Sequence, residues 1–373
     1  EMRAEAKKVG ATLLGPTTPG ILTVGEAKMG IIPGNLFPKV GGRAGVISRS
    51  GTLAYEVGGI LAKAGTAPST VVGMGADPVV LTDLADILKF FAADLNADAG
   101  WTEAMAGCRC VAHLASPLPA GVPRSADDLI VPARDGALRA LRAAKATGVE
   151  RFVMTSSVAA IAYGRGRGVH HFTEADWTQP DRPGLSPSIQ SKTIAERAAR
   201  DWVAREGAGI EFCTINPSVV LGPVWSRDYS ASVVILRKLL DGSLRGCPDI
   251  GFGVVDVRDV ADLHVRALKA PGMAGERFIA SGRFMKLLEI AEVLRAALGP
   301  HAGKVPTRNL PDWLVRVTAL FDRRARAALG ELGSVRHQDA SHAKAVLGWA
   351  TRPEEQSIVD CACCLIELGI VEP

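Results

Sequence analysis

From about residue 85 onward, short apolar segments alternate with amphipathic helical patterns, and this alternation narrows the possible folds more than any other feature. Candidate strands are 89–95 (KFFAADL), 110–116 (CVAHLAS), 150–157 (ERFVMTSS), 211–220 (EFCTINPSVV) and 276–282 (ERFIASG). Between and beyond them, helical periodicity runs over 101–106, 127–147, 188–206, 231–242, 259–270 and 286–298. Strands that are apolar throughout are buried on both faces, and helices that follow them are what cover those faces. The pattern therefore predicts an α/β chain with a doubly wound parallel sheet. A smaller C-terminal substrate lobe is expected from about 224–253 and 272–345.

Before residue 85 the texture is different. Residues 15–42, "GPTTPGILTVGEAKMGIIPGNLFPKVGG", are rich in Gly and Pro. A strand–turn–helix–strand unit follows: "AGVIS" (44–48), "RSGT" (49–52), "LAYEVGGILAKAG" (53–65) and "STVVGMGADP" (69–78). Two segments, 1–84 and 85–373, are the expected division.

Several functions are disfavoured by bulk features. The net charge of +4 is spread over 373 residues, and the densest basic run, "FDRRARAALG" at 321–330, reads as a solvated helix face. Aromatics make up 5% and do not interleave with basic residues, so no nucleic-acid partner is expected. No apolar run of about 18 residues suggests a membrane span, and "EMRAEAKKVG" has no signal-peptide core. The chain begins with Glu1, as expected of a fragment. Its seven cysteines include "CACC" at 361–364, set in "SIVDCACCLIELGI". That apolar setting predicts buried thiols, with no metal site and a reducing cytoplasmic location.

The chemistry-bearing residues cluster late in the strands. Thr155, Ser156 and Ser157 stand just past a buried strand, at the carboxyl edge where open parallel sheets bind ligands. Lys192 lies one turn into the helix that begins at 188. "INPSVVLGP" (215–223) is a strand breaking at Pro217, and "VVDVRDVADLHVRAL" (254–268) is a strand followed by a helix capped by an aspartate.

In this order and spacing, "CVAHLASPLP", "GALRALRAAKATGVERFVMTSS", "SKTIAERAA", "INPSVVLGP", "VDVRDVADLHVRAL" and "AKAVLGWATRPEEQSIVD" resemble the extended short-chain dehydrogenases/reductases, nearest the dihydroflavonol-reductase-like branch of the NAD-dependent epimerase/dehydratase family. The resemblance covers about residues 85–373. It implies a Rossmann-like fold and hydride transfer between NADP or NAD and a small carbonyl substrate, an aldehyde or ketone. In that family a tyrosine donates the proton, a lysine lowers its pKa and bonds the nicotinamide ribose, and a serine orients the substrate oxygen. By this resemblance Ser157 is the orienting serine and Lys192 the lysine. Ala115, Ser116, Thr155, Lys192, Pro217, Ser218 and Val219 are the residues implied to line the cofactor. The tyrosine position holds Ser188. An aliphatic hydroxyl is a far weaker acid than a phenol, so activity impaired by about 10²–10⁴ is expected. Tyr163 lies beyond the serine strand and is no evident replacement.

A second departure concerns the phosphate loop. No G-x-x-G-x-x-G turn stands upstream of residue 85. Instead "LLGPTTPGILTVGEAKMGIIPG", "GVISRSGTLAYE" and "STVVGMGADP" resemble part of the α subunit of succinyl-CoA synthetase and malate–CoA ligase. The histidine loop and the N-terminal CoA-binding unit of that family are missing. The strand–turn–helix unit "GVISRSGTLAYE" could still offer hydroxyls and backbone N–H groups of Ser48, Ser50, Gly51 and Thr52 to a phosphate. Asp77 stands where a Rossmann unit places its ribose-binding acid. Besides the impaired reductase, two readings stay open: an acyl-CoA-ligase-like phosphate or CoA binder, and a non-catalytic fusion remnant.

Overall fold

The computed structural model describes residues 20–23, 27–29, 44–48, 56–61, 68–73, 95, 97–115, 125–227, 229–321 and 329–372. The N-terminal segment forms β1 (Gly20–Thr23), β2 (Ala27–Met29), β3 (Ala44–Ser48), a helix at 56–61 (α1) and β4 (Pro68–Gly73). Then come α2 (Trp101–Met105), β5 (Cys110–His113), α3 (Asp127–Ala146), β6 (Arg151–Thr155), β7 (Gly168–Phe172) and α4 (Pro187–Glu206). They lead into β8 (Glu211–Pro217), β9 (Val219–Leu221), α5 (Ala231–Leu240), β10 (Gly251–Asp256) and α6 (Val257–Lys269). The chain closes with β11 (Arg277–Ala280), β12 (Phe284–Lys286), α7 (Leu287–Leu298), α8 (Asp312–Phe321), β13 (Ser334–Gln338), α9 (Ser341–Leu347) and α10 (Glu354–Glu367).

The expected helices thus form within a few residues of their predicted limits. The expected strand at 89–95 lies outside the described residues except for Leu95. The strand predicted at 211–220 is two strands, broken at Ser218 next to Pro217 as the proline foretold. That break moves the chain between sheets. β8 belongs to a sheet of order β11-β8-β6-β5, in which β5 and β6 run parallel. β9 joins β10 in parallel within the sheet β12-β10-β9.

The ligase-like strands form a sheet of order β2-β1-β4-β3, with β3 and β4 parallel and β1 antiparallel to both its neighbours. β3 also packs alongside β5. "AGVIS" therefore neighbours the first described strand of the reductase-like segment, as the first strand of a Rossmann unit would.

Two compact units emerge. One comprises 1–155, 194–214 and 264–276, and the other 156–193, 215–263 and 277–373. In the first, α3 presents Leu129, Ala133, Ala137, Ala140, Leu141 and Ala144 at helical spacing. Most of this stripe packs in a cluster with Phe152, Phe212, Ala199 and Trp202. In the second, Leu236, Leu239, Val254, Leu294, Ile358 and Leu365 belong to one buried cluster. There the predicted aspartate cap forms: the Asp256 carboxylate accepts the Arg258 backbone N–H at 2.8 Å, satisfying an orphan donor at the start of α6. Asp256 also pairs with the Arg258 guanidinium at 2.8 Å.

The "CACC" tract lies in α10, with Cys361 buried and its thiol pushed up to about 12 by that burial. Among the described residues, no group of three or more His, Cys, Asp or Glu could hold a metal ion. No described helix is long and apolar enough to cross a membrane.

Candidate active site

Ser157 follows β6 in extended conformation (φ −165°, ψ 154°) and caps a single 3-10 turn at 158–160. Its Oγ accepts the Ala159 N–H at 3.1 Å and lies 3.5 Å from the Pro217 carbonyl, to which it donates. The backbone is held too. The Ser156 N–H donates to the Ile215 carbonyl at 2.7 Å, and the buried Asn216 amide donates to the Ser157 carbonyl at 3.1 Å. Ser157 and Pro217 are thus brought together by the ends of two strands. Their hydroxyl–carbonyl bond is long and readily exchanged for a ligand oxygen.

α4 begins with Ser186 accepting the Ile189 N–H at 3.4 Å and Pro187 as its first residue, where a missing N–H costs nothing. Ser188 is therefore in the first turn and Lys192 one turn later, on the same face. Thr193 lies next to Lys192, and its hydroxyl is shared between the Ile189 carbonyl (2.9 Å) and the Ala159 carbonyl (3.4 Å). That contact ties the Lys192 turn to the turn capped by Ser157.

Ser188 is exposed and Lys192 half-buried. Lys192 has no hydrogen-bond or ion-pair partner among the described residues, and burial alone pushes its pKa down to about 8. A desolvated ammonium without a protein acceptor is poised to donate to a ligand hydroxyl or to react as an amine. Tyr163 is occupied elsewhere: the Arg336 guanidinium sits 4.5 Å from its ring centroid, and burial pushes its phenol above the ordinary value. That makes it a weaker acid.

Of the other expected cofactor residues, Ser218 directs its N–H to the Ala280 carbonyl at 3.0 Å, and Val219 opens β9. Thr155 and Ala115 belong to the other unit. The Thr155 hydroxyl lies 2.6 Å from Nε2 of the fully buried His264, so it already has a protein partner. Ala115 lies two residues past β5. Ser116, Ser50, Gly51, Thr52 and Asp77 lie outside the described residues, and of Ser48 only its place at the end of β3 is described.

Asn216, Thr193 and His264 are the residues that sequence reasoning passed over. Each stands inside a motif already singled out, "INPSVV", "SKTIAE" and "DLHVRAL". A buried polar residue within an apolar strand or helix face was the available signal, because such groups need partners.

The NAD dependent epimerase/dehydratase family matches residues 60–279, more than half of the chain. The chain belongs to that family. Cinnamoyl-CoA reductase CAD2 of Medicago truncatula is 32% identical over 222 residues, covering 58% of this chain and 67% of that enzyme. Dihydroflavonol 4-reductase of Gerbera hybrida is 29% identical over 215 residues, 56% of this chain and 58% of its own length. The chain therefore spans only about three fifths to two thirds of these epimerase-family relatives. The succinate–CoA ligase α subunit of Methanothermobacter thermautotrophicus is 46% identical over 94 residues, 25% of this chain and 31% of that subunit. Among solved structures, the yeast methylglyoxal/isovaleraldehyde reductase Gre2 complexed with NADPH superposes with a TM-score of 0.66 at 21% identity. The superposition covers 87% of this chain and 98% of that one, and it establishes the Rossmann-like α/β fold. The epimerase-family member described here thus carries a ligase-like segment ahead of its own motifs.

Proposed function

We propose that this epimerase-family chain is an NAD(P)H-dependent reductase of small aldehydes or ketones, slowed because Ser188 occupies the proton donor's place. The observation that carries this reading is the unpartnered Lys192 ammonium, one turn from Ser188 and tied through Thr193 and Ala159 to the Ser157 turn. Those residues fit a nicotinamide ribose and a carbonyl oxygen. Lys192 would donate to a ribose hydroxyl, and Ser157 would exchange its long bond to Pro217 for one to the substrate oxygen. Bound NAD(P)H supplies the hydride. The Ser188 hydroxyl is too weak an acid to protonate the nascent alkoxide, and a water in the space beside it is the proposed proton source.

Ser188→Tyr is expected to raise NADPH oxidation with aliphatic and aromatic aldehydes by about 10²–10⁴, the worth of a positioned general acid. Ser188→Ala is expected to change little. A Ser188→Tyr protein that binds cofactor normally and stays as slow as the parent would sink this reading.

The ligase-like segment suggests where the pyrophosphate goes. Because β3 packs beside β5, the ligase-like unit fits the slot of the missing first βα unit, and Ser50 and Gly51 are the residues proposed to meet the pyrophosphate. Affinity is expected to fall below that of a glycine-loop reductase, and Ser50→Asp to weaken it further by charge repulsion. Thermal-shift titrations with NADPH, NADH and CoA separate the readings. Stabilisation by CoA alone would favour the ligase-like alternative, and none by any of the three a non-catalytic remnant.

A further inference from the structure

We propose that the outward face of α8 (Asp312–Phe321) is a membrane-docking surface that lies against anionic lipid headgroups. The inference does not rest on the reductase reading, and it concerns the second unit alone.

α8 is apolar on two opposite faces. Val315 and Ala319, one turn apart, are buried and fix the inward face. At the α-helical repeat, Trp313, Leu314, Val317, Leu320 and Phe321 fall on the opposite side, in a stripe about 120° wide. All five are exposed, Trp313 at 65%, Leu320 at 68% and Phe321 at 87%. The other large apolar residues exposed among the described residues, Val131, Val169, Trp225 and Val346, stand singly on other segments. Single apolar residues at a surface are ordinary, but five on one helix face mark an interaction site.

The charges beside the stripe identify what covers it. Arg316 stands at its edge and Arg308 shortly before the helix. Both are exposed, and neither pairs with a carboxylate among the described residues. Asp312, the acid of this helix, is held by Arg167 at 3.0 Å. In sequence the helix runs directly into Asp322, Arg323, Arg324 and Arg326, three cations against one anion. A second copy presenting the same face would set like charge against like. An anionic lipid surface offers the opposite charge to the arginines and a hydrocarbon boundary to Trp313 and Phe321. With 10 residues, α8 has about half the length that crosses a bilayer, so it lies along the surface.

The test is flotation of the full chain with vesicles of pure phosphatidylcholine, and of phosphatidylcholine containing a quarter phosphatidylserine, at about 0.1 M salt. Partition onto the anionic vesicles is expected to exceed that onto the neutral ones about tenfold, and to fall several-fold at about 1 M salt. The double variant Leu320→Asp/Phe321→Asp changes exposed side chains only, and is expected to lose about tenfold or more while melting like the parent. Val346→Asp, at an exposed apolar position on α9, is expected to float like the parent. Flotation with neither lipid, equally with both, or undiminished in the double variant overturns the proposal. So does an equal loss in Val346→Asp. Should the double variant melt early, Arg316→Glu decides: a several-fold loss supports the proposal, and binding as tight as the parent's overturns it. Sedimentation velocity without lipid is expected to give the same monomer for parent and double variant. A parent dimer that the double variant breaks would show that a second copy covers this face, and would overturn the proposal as well.

Discussion

At the scale of single residues, Lys192 carries an energetic cost that its surroundings do not repay. Its pKa falls from 10.5 to about 8 on folding, so the folded state disfavours the charged form. Below pH 8 both states hold the proton and the full penalty is present. Between pH 8 and 10.5 the unfolded chain binds more protons than the folded one, so stability rises with pH across that window. A shift of this size corresponds to about 3 kcal/mol at most, and partial exposure of the residue reduces it. Lys192→Met is therefore expected to be more stable than the parent at pH 7 by about 1–3 kcal/mol. The gap should narrow by pH 9.5. Urea unfolding at the two pH values checks this, and an equal gap at both would contradict it. Such a cost, kept at the proposed ribose-facing position, is what desolvating a functional group entails.

At the scale of elements, β10 is the central strand of its three-stranded sheet in the second unit. It pairs in parallel with β9 and antiparallel with β12, and its last residue caps α6. Such crowding leaves no room at Gly253. A Cβ there would overlap Ser281 Oγ and Gln338 Oε1, and would lie 3.2 Å from Ser218 Cβ. Ser281 and Gln338 are themselves hydrogen-bonded at 2.8 Å, so neither yields without losing that bond. Gly253→Ala is expected to cost about 1–3 kcal/mol, the usual penalty for overpacking, seen as a lower urea midpoint with unchanged slope. A neutral outcome would mean that β10 shifts to accommodate the methyl group. Gly222 faces a similar limit, with φ +117° and Asp256 Oδ2 2.9 Å from a built Cβ. Ser218 adjoins β9 and one of the expected cofactor residues, so the same packing that restricts Gly253 also positions the candidate site.

At the scale of the whole molecule, separate hydrophobic clusters support the two units. Phe152 belongs to one and Leu365 to another, and both side chains are fully buried. Phe152→Ala is expected to cost about 3–5 kcal/mol and Leu365→Ala about 2–5 kcal/mol. Because the clusters share no residue, the losses should add within about 0.5 kcal/mol in the double variant, measured by urea unfolding. A coupling well above that value would show that the clusters act as one. The ligase-like segment enters this picture as a structural participant, since its β3 packs beside β5.

The fold class and the helices were legible in the sequence because they depend on local order, whereas the roles expected of Ser157 and Lys192 came from the family resemblance. Helical spacing in 127–147, the cap at Asp256 and the break at Pro217 each follow from interactions between residues near in sequence. Absence of a tyrosine at position 188 was equally visible, being a matter of identity alone. Tertiary structure decided the rest. β7 and β13 pair in parallel across Gly168–Phe172 and Ser334–Gln338, yet "GVHHF" and "SVRHQ" are polar segments with no strand signature of their own. Their pairing comes from hydrogen bonds between distant segments, which periodicity cannot register. Likewise Asn216, Thr193 and His264 acquire roles only because β8, α4 and α6 are folded against their partners. The place of "AGVIS" beside β5 is also such a decision. A strand's neighbours are set by burial over the whole sheet, and no local pattern specifies them.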